Sequence, residues 1–123
     1  KPGNCWATCI ACITDTPAAE VPNFVARESD WCEAAQRWCA ERGWGIYQCE
    51  WPGMVYACRF PEMLVILSGW GPRGIRHSVI GRVRWDAEGY PEVALVHDPH
   101  PDGGGLIPER GEQYLTFVFR PAK

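Results

Sequence analysis

The sequence predicts an α+β fold, N-terminal helices packed on a mostly antiparallel β-sheet, and three observations carry that prediction. Up to Gly43, apolar residues recur with helical spacing. Beyond Gly43, β-branched and aromatic residues gather in short runs. Gly and Pro punctuate the gaps between those runs, at Pro52-Gly53, Gly69 to Gly74 and Pro99 to Gly105. Helices first and strands afterwards is the α+β order, not that of alternating βαβ units.

Residues 5–14, CWATCIACIT, read as a buried helix with Asn4 available as its N-cap, broken by Asp15-Thr16-Pro17. A short helical turn is expected from Ala18 to Val21, stopped near Pro22. Residues 31–42, WCEAAQRWCAER, give the clearest helix. Asp30 is placed to cap it, Glu33 to complete a capping box, and Gly43 to end it. Trp31, Ala35 and Trp38 mark its buried stripe, and Glu33, Arg37 and Glu41 its wet side. Strands are expected at Ile46 to Glu50, Met63 to Ser68, Ile75 to Trp85, Tyr90 to Asp98 and Gln113 to Arg120, joined as an antiparallel meander.

Residues 1–123 have the length of a single domain, enough to bury roughly two-thirds of the unfolded surface. A net charge of −3 gives no general attraction to phosphate, so nucleic acid is not the expected partner. The longest apolar run, Met63 to Leu67, is far too short to cross a bilayer, and no secretory h-region is present, so no membrane partner is expected. Seven cysteines is an odd number in a chain without the loop-rich character of a disulfide scaffold, which reads as reduced thiols in a cytoplasmic protein. The chain begins at Lys1 and not Met, which leaves room for residues upstream.

Cys5, Cys9 and Cys12 are spaced by four and then three residues, on one side of a helix. Cys9 and Cys12 read as small core hydrophobes. The pattern C-x3-C-x2-C is similar to the cluster motif of S-adenosylmethionine radical enzymes, but the residues between suit a helix and the chain is too short for that barrel. A zinc site would draw on Cys9, Cys12, His97 and His100, and nothing in the spacing brings these together. No metal and no cofactor is therefore expected. Cys5 differs because it opens the helix, where unsatisfied N–H groups and the positive dipole end favour a thiolate.

A nucleophilic thiol needs a base, and the chain has three histidines, His77, His97 and His100. If residues 75–85 and 90–98 form a hairpin with Asp86 to Gly89 at its tip, His77 stands directly opposite Asp98. A carboxylate there fixes the imidazole tautomer and stabilises its charged form. The bland reading of this pair is a structural cross-strand contact. His97 alternates to the other face and reads as structural, while His100 lies in the Pro-rich loop near Asp98, placed to line a cleft. Arg73, Arg76, Arg82 and Arg84 read as a solvated edge, with contact to an acidic substrate as the sharper alternative.

These residues carry a resemblance. G-N-C-W-A resembles the nucleophile motif of papain-like cysteine peptidases, and RHSVIG followed by VHDPHPDGGGL resembles their bacteriocin-processing, double-glycine-cleaving subgroup. The chain is also similar to small stand-alone bacterial or phage-encoded members, and the likeness spans residue 3 to about 119. It implies a papain-like domain with Cys5 as nucleophile, His77 as general base and acid, and Asp98 as orienting group. The implied substrate is a peptide or protein, cleaved at a peptide, isopeptide or related amide bond. Trp6 and Trp70 would wall the cleft. One departure stands out: the family places a glutamine before the cysteine as oxyanion donor, and residues 1–4 contain none. The donor is then a glutamine upstream of Lys1, or Asn4, or backbone N–H groups, and with none of these the enzyme is weak or inactive. Two alternatives accordingly stay open, an inactive peptidase-like binding or inhibitor protein and an acyltransferase.

Overall fold

The first helix, α1 (Cys5–Thr14), spans the residues expected of it. It ends where Asp15 turns left-handed at φ 55°, and the Thr16 N–H reaches back to the Ala11 carbonyl at 2.9 Å. Its buried arc comprises Trp6, Ala7, Cys9, Ile10, Ala11 and Thr14. At about 100° per residue, Cys5 and Cys12 fall at the margin of that arc. Cys9 is fully buried, Cys5 is half-buried and Cys12 is exposed, so the expectation that Cys12 faces the core is corrected. The three thiols share a side of α1, but that side is the rim of its contact with the sheet.

The computed structural model describes residues 4–27, 30–51, 62–100, 103–107 and 111–120. The Pro52-Gly53 turn and part of the Pro99 to Gly105 loop lie outside them. After α1 come a 3₁₀ turn (Ala18–Glu20) and a four-residue helix, α2 (Phe24–Arg27), too short to show periodicity in the sequence. Phe24 packs edge-on against Trp6 and Trp38, with ring centroids 6.1 and 6.0 Å away. The third helix, α3 (Trp31–Glu41), buries Ala35, Trp38 and Cys39. Its expected capping box is not formed. Asp30 makes no side-chain cap bond, and Glu33 instead meets Arg37 at 3.8 Å on the exposed face. Beyond α3, the Trp44 N–H closes the helix end on the Cys39 carbonyl at 2.9 Å.

Five strands follow: β1 (Gly45–Trp51), β2 (Met63–Trp70), β3 (Arg76–Trp85), β4 (Pro91–His97) and β5 (Gln113–Phe119). They form one antiparallel sheet in the order β1-β5-β2-β3-β4. Only β2, β3 and β4 make the expected meander; β5 returns to lie between β1 and β2. Composition explains the insertion. β5 is apolar on both pleats, with Leu115 and Phe117 on one side and Val118 beside Thr116 on the other, all buried. Such a strand suits the middle of a sheet, whereas β1 exposes Tyr47, Gln48 and Glu50 and suits its edge.

The helices cover one face of the sheet. There Ile66, Ile80 and Val118 join Trp6, Cys9 and Ile10 in the larger apolar cluster. On the opposite face Val65, Val83, Leu115 and Phe117 form a second. Among the described residues no helix is long and apolar enough to cross a membrane.

The β3–β4 hairpin differs from the register expected of it, for two reasons. The Asp86 N–H bonds the Tyr90 carbonyl at 2.8 Å, so the loop is three residues and not four, and Gly89 takes φ 88° to close it. That moves the pairing by one, to Arg84 opposite Glu92 and Val83 opposite Val93. A bulge then intervenes: Gly81 faces Leu95 but Ile80 faces His97, leaving Val96 as the extra residue. β4 ends at His97, so Asp98 lies beyond the ladder and not directly across from His77.

Candidate active site

The row of sheet residues beyond α1 changes character. Ile66 pairs with Ile80 under the helix; two residues on, Ser68 pairs with Ser78 on the same pleat, and then Trp70 with Arg76. Ser68 also stands opposite Tyr114. These residues floor a cleft of about 780 Å³, within the usual range for a ligand site. Its other wall comes from the helices, with Cys5, Trp6, Val25 and Trp31. Gln48 closes one side, and the turn before β3 contributes Gly74 and Ile75.

Arg76, His77 and Ser78, the first three residues of β3, all line this cleft. His77 is 5% exposed, and Gly71 lies tight against it: a Cβ at Gly71 would stand 3.0 Å from the His77 Cβ. The Nε2–H of His77 donates to Asp98 Oδ1 at 2.6 Å. A carboxylate only accepts, so this bond puts the proton on Nε2 and leaves Nδ1 as the lone-pair nitrogen of the neutral ring.

Asp98 is itself held on both oxygens. Oδ1 also accepts from the His100 N–H at 2.9 Å, and Oδ2 from the Gly105 N–H at 2.8 Å. Burial pushes the Asp98 carboxyl up, but these backbone bonds, the His77 bond and the His77 charge outweigh it and hold the group below the usual carboxylate range. The pairing that the hairpin argument reached is therefore present, by a different route. The bulge at Val96 turns β4 out of register, and the His100 and Gly105 amides fix the carboxylate. His77 and Asp98, with side chains 5% and 7% exposed, form a buried charge-capable pair.

The structure brings together Cys5, His77, Trp6 and Trp70 in one cleft, with Asp98 behind His77. Cys5 opens α1, and the first bond of the helix is the Thr8 N–H to the Asn4 carbonyl at 2.9 Å. Asn4 is exposed, its side chain caps nothing, and it is not part of the cleft wall. His100 stacks edge-on to His77 at 6.2 Å, yet it too stays out of the wall. His97 is exposed next to Ile80 in the ladder, far in kind from the buried Cys9 with which a zinc site would pair it. Among the described residues no group of three or more His, Cys, Asp or Glu side chains is placed to hold a metal ion.

Three of the thiols are shifted upward, Cys9, Cys32 and Cys39. Burial, then the charges of Cys5, Cys12 and Asp98, push Cys9 well above the ordinary thiol range. Burial lifts Cys39 to about 11 against the pull of Arg42, and lifts Cys32 as well. The described cysteines, 5, 9, 12, 32, 39 and 49, are all free thiols. Sequence reasoning missed the floor of the cleft, Ser68, Ser78 and Tyr114, and Gln48 at its side. A signal for it existed: strands carrying Ile66 and Ile80 inward continue with serine on the same pleat.

No family model, no curated protein and no solved structure matches the chain.

Proposed function

We propose that the protein is a papain-like cysteine hydrolase, similar to the bacteriocin-processing peptidases, that cleaves a peptide, isopeptide or related amide bond. One observation carries the reading: Cys5, which opens α1, and His77, whose imidazole is held by a buried carboxylate, both line one cleft. Cys5 attacks the carbonyl carbon as its proton passes to Nδ1 of His77, the nitrogen that Asp98 leaves unengaged. A C–S bond forms, and the carbonyl π pair moves to oxygen. The oxyanion is stabilised by N–H groups at the start of α1. When it collapses, the C–N bond breaks, and the amine leaves with the proton from His77. Water then attacks the thioester, giving its proton to His77, and the acid departs as the thiol re-forms. Asp98 stays ionised throughout, keeps the ring in its tautomer and stabilises the imidazolium.

Cys12 supplies an internal reference, being exposed on the same helix. At neutral pH iodoacetamide should label Cys5 at least on the order of tenfold faster than Cys12, as mapped by peptide mass. Substitution of His77 by Ala should remove that advantage without slowing Cys12. Equal rates at the two thiols in the native protein would overturn the reading.

A second reading, a peptidase-like binding or inhibitor protein without turnover, is favoured by two observations. Asn4 does not line the cleft, and the Gln48 amide is engaged, donating to the Thr116 hydroxyl at 3.1 Å. Fast labelling of Cys5 without hydrolysis of any peptide pool selects this second reading. Transfer of the acyl group to an added amine selects an acyltransferase.

A further inference from the structure

Among the described residues that line the cleft, Arg76 is the one arginine or lysine. Its guanidinium lies over the Trp70 ring, 5.4 Å from the centroid, and 5.8 Å from that of Tyr114. An arginine stacked on aromatic faces keeps its N–H edge for a ligand and is held in place without a carboxylate of its own. Among the described residues no carboxylate forms an ion pair with Arg76. The nearby acids are otherwise disposed. Glu112 accepts the Tyr114 hydroxyl at 2.7 Å, and Glu50, opposite Tyr114 on the edge strand, is not part of the cleft wall. The arginines near it are engaged elsewhere or lie outside the cleft. Arg84 pairs with Glu92 at 2.6 Å, Arg73 donates to the Gly103 carbonyl at 3.0 Å, and Arg82 sits further along β3.

We propose that Arg76 sets the substrate class: the cleft takes a peptide that presents a carboxylate to the Arg76 guanidinium beside an apolar or aromatic group packed on Trp31 and Trp70. The chemistry favours a carboxylate because the planar fork of arginine matches it in two parallel hydrogen bonds. The apolar requirement follows from the wall, where Trp31, Trp70, Val25 and Ile75 leave little polar surface to meet. Position along the floor gives the geometry. Arg76 lines the same cleft as Cys5, so a carboxylate anchored on it would restrict which amide of the peptide reaches the thiol. Arg76 is thus a specificity residue, not a catalytic one.

The inference uses the hydrolase reading for the word substrate, but its test reads binding by a protein unable to turn over. Tetrapeptides containing one tryptophan are titrated calorimetrically into the Cys5→Ala protein at low salt. One arm carries Glu or Gln in turn at each position with an amidated C-terminus; a second lacks Glu and has a free or amidated C-terminus. The expected result is a preference on the order of tenfold for the carboxylate form in one arm, which identifies a side-chain or a terminal carboxylate as the source. The preference should vanish in Cys5→Ala/Arg76→Gln, shrink with added salt, and be partly kept in Cys5→Ala/Arg76→Lys. Arg76 is exposed, so these variants are expected to fold, and thermal unfolding checks that they do. Equal affinity for acid and amide forms, no binding by either arm, or a preference that survives Arg76→Gln overturns the proposal. The hydrolase reading fails separately, when Cys5 labels no faster than Cys12.

Discussion

Two rows of residues on one face of the sheet, a single pleat apart, lead opposite lives. Thr116, Ile66 and Ile80 lie side by side across β5, β2 and β3 and are 0%, 0% and 4% exposed beneath the helices. Tyr114, Ser68 and Ser78 form the next row on the same pleat and floor the cleft. Backbone geometry is the same in both rows; what differs is the cover. The ten residues of α1 begin at Cys5, and the sheet runs on past that point. Under the helix the strands carry apolar side chains and one satisfied threonine. Beyond it they carry hydroxyls, a phenol and an arginine. The end of a helix thus leaves Cys5 half-buried at the cleft wall and, by stopping, leaves the floor in front of it open.

The comparison breaks first if the covered row is not the source of stability. Ile66→Ala should cost about 2–5 kcal/mol, the range for truncating a fully buried aliphatic side chain, measured by urea unfolding. In the fraction that stays folded, Cys5 should keep its labelling advantage over Cys12, because Ile66 touches the core and not the cleft. A loss of reactivity at full foldedness would mean that the two rows are mechanically one unit.

A smaller effect on stability, with a larger one on reactivity, is expected at Asp98. Asp98→Asn keeps the shape but sets a side-chain amide against the Gly105 N–H or His77, at a cost of about 1–3 kcal/mol. The sign of the pH dependence follows from the lowered carboxyl of Asp98. Its folded value lies below its unfolded one, so the unfolded chain takes up the proton first as pH falls. The stabilising contribution is complete above the ordinary carboxyl value of 3.8, declines as pH drops below it, and is gone below the folded value. The gap between native protein and Asp98→Asn in urea unfolding should therefore close as pH falls below about 4. A gap that stays open or grows below that pH would contradict the ionised pair.

Most of the fold was legible in the sequence, and the part that was not has specific causes. The span of α1, the position of α3 and the existence of all five strands follow from periodicity and from Asp15 and Gly43 as stops. Strand order was not legible, because nothing local says that QYLTFVF belongs between β1 and β2; its two apolar faces hint at a central place without naming the neighbours. Pairing of His77 with Asp98 was reached from a four-residue hairpin tip, whereas Gly89 makes a three-residue loop and Val96 a bulge. Two register errors and a chain that leaves the ladder combined to bring the same two side chains together. Cys12 misled because three thiols at helical spacing share a side, and spacing alone does not say where that side meets the core. The cleft needed tertiary information of another kind, the point where α1 stops covering the sheet.

The finest test lies within the floor itself. Ser68 Oγ and Ser78 Oγ are 2.8 Å apart, with Ser78 5% exposed. One hydroxyl donates to the other, so the pair consumes a single proton and leaves the second free to turn to a ligand or to water in the cleft. Ser78→Ala removes one partner and leaves Ser68 in the open part of the floor, where water replaces the lost bond, so the expected cost is about 1 kcal/mol or less. Ser68→Ala leaves the more buried Ser78 without its partner and should cost slightly more, about 1–2 kcal/mol. The double change to alanine removes both hydroxyls, and its cost should fall below the sum of the two single ones, since no orphaned group remains. Additive costs from a double-mutant cycle in urea would mean that the hydroxyls act independently. The floor would then be a set of separate polar positions and not a continuation, in hydrogen-bonded form, of the Ile66–Ile80 pair one pleat below.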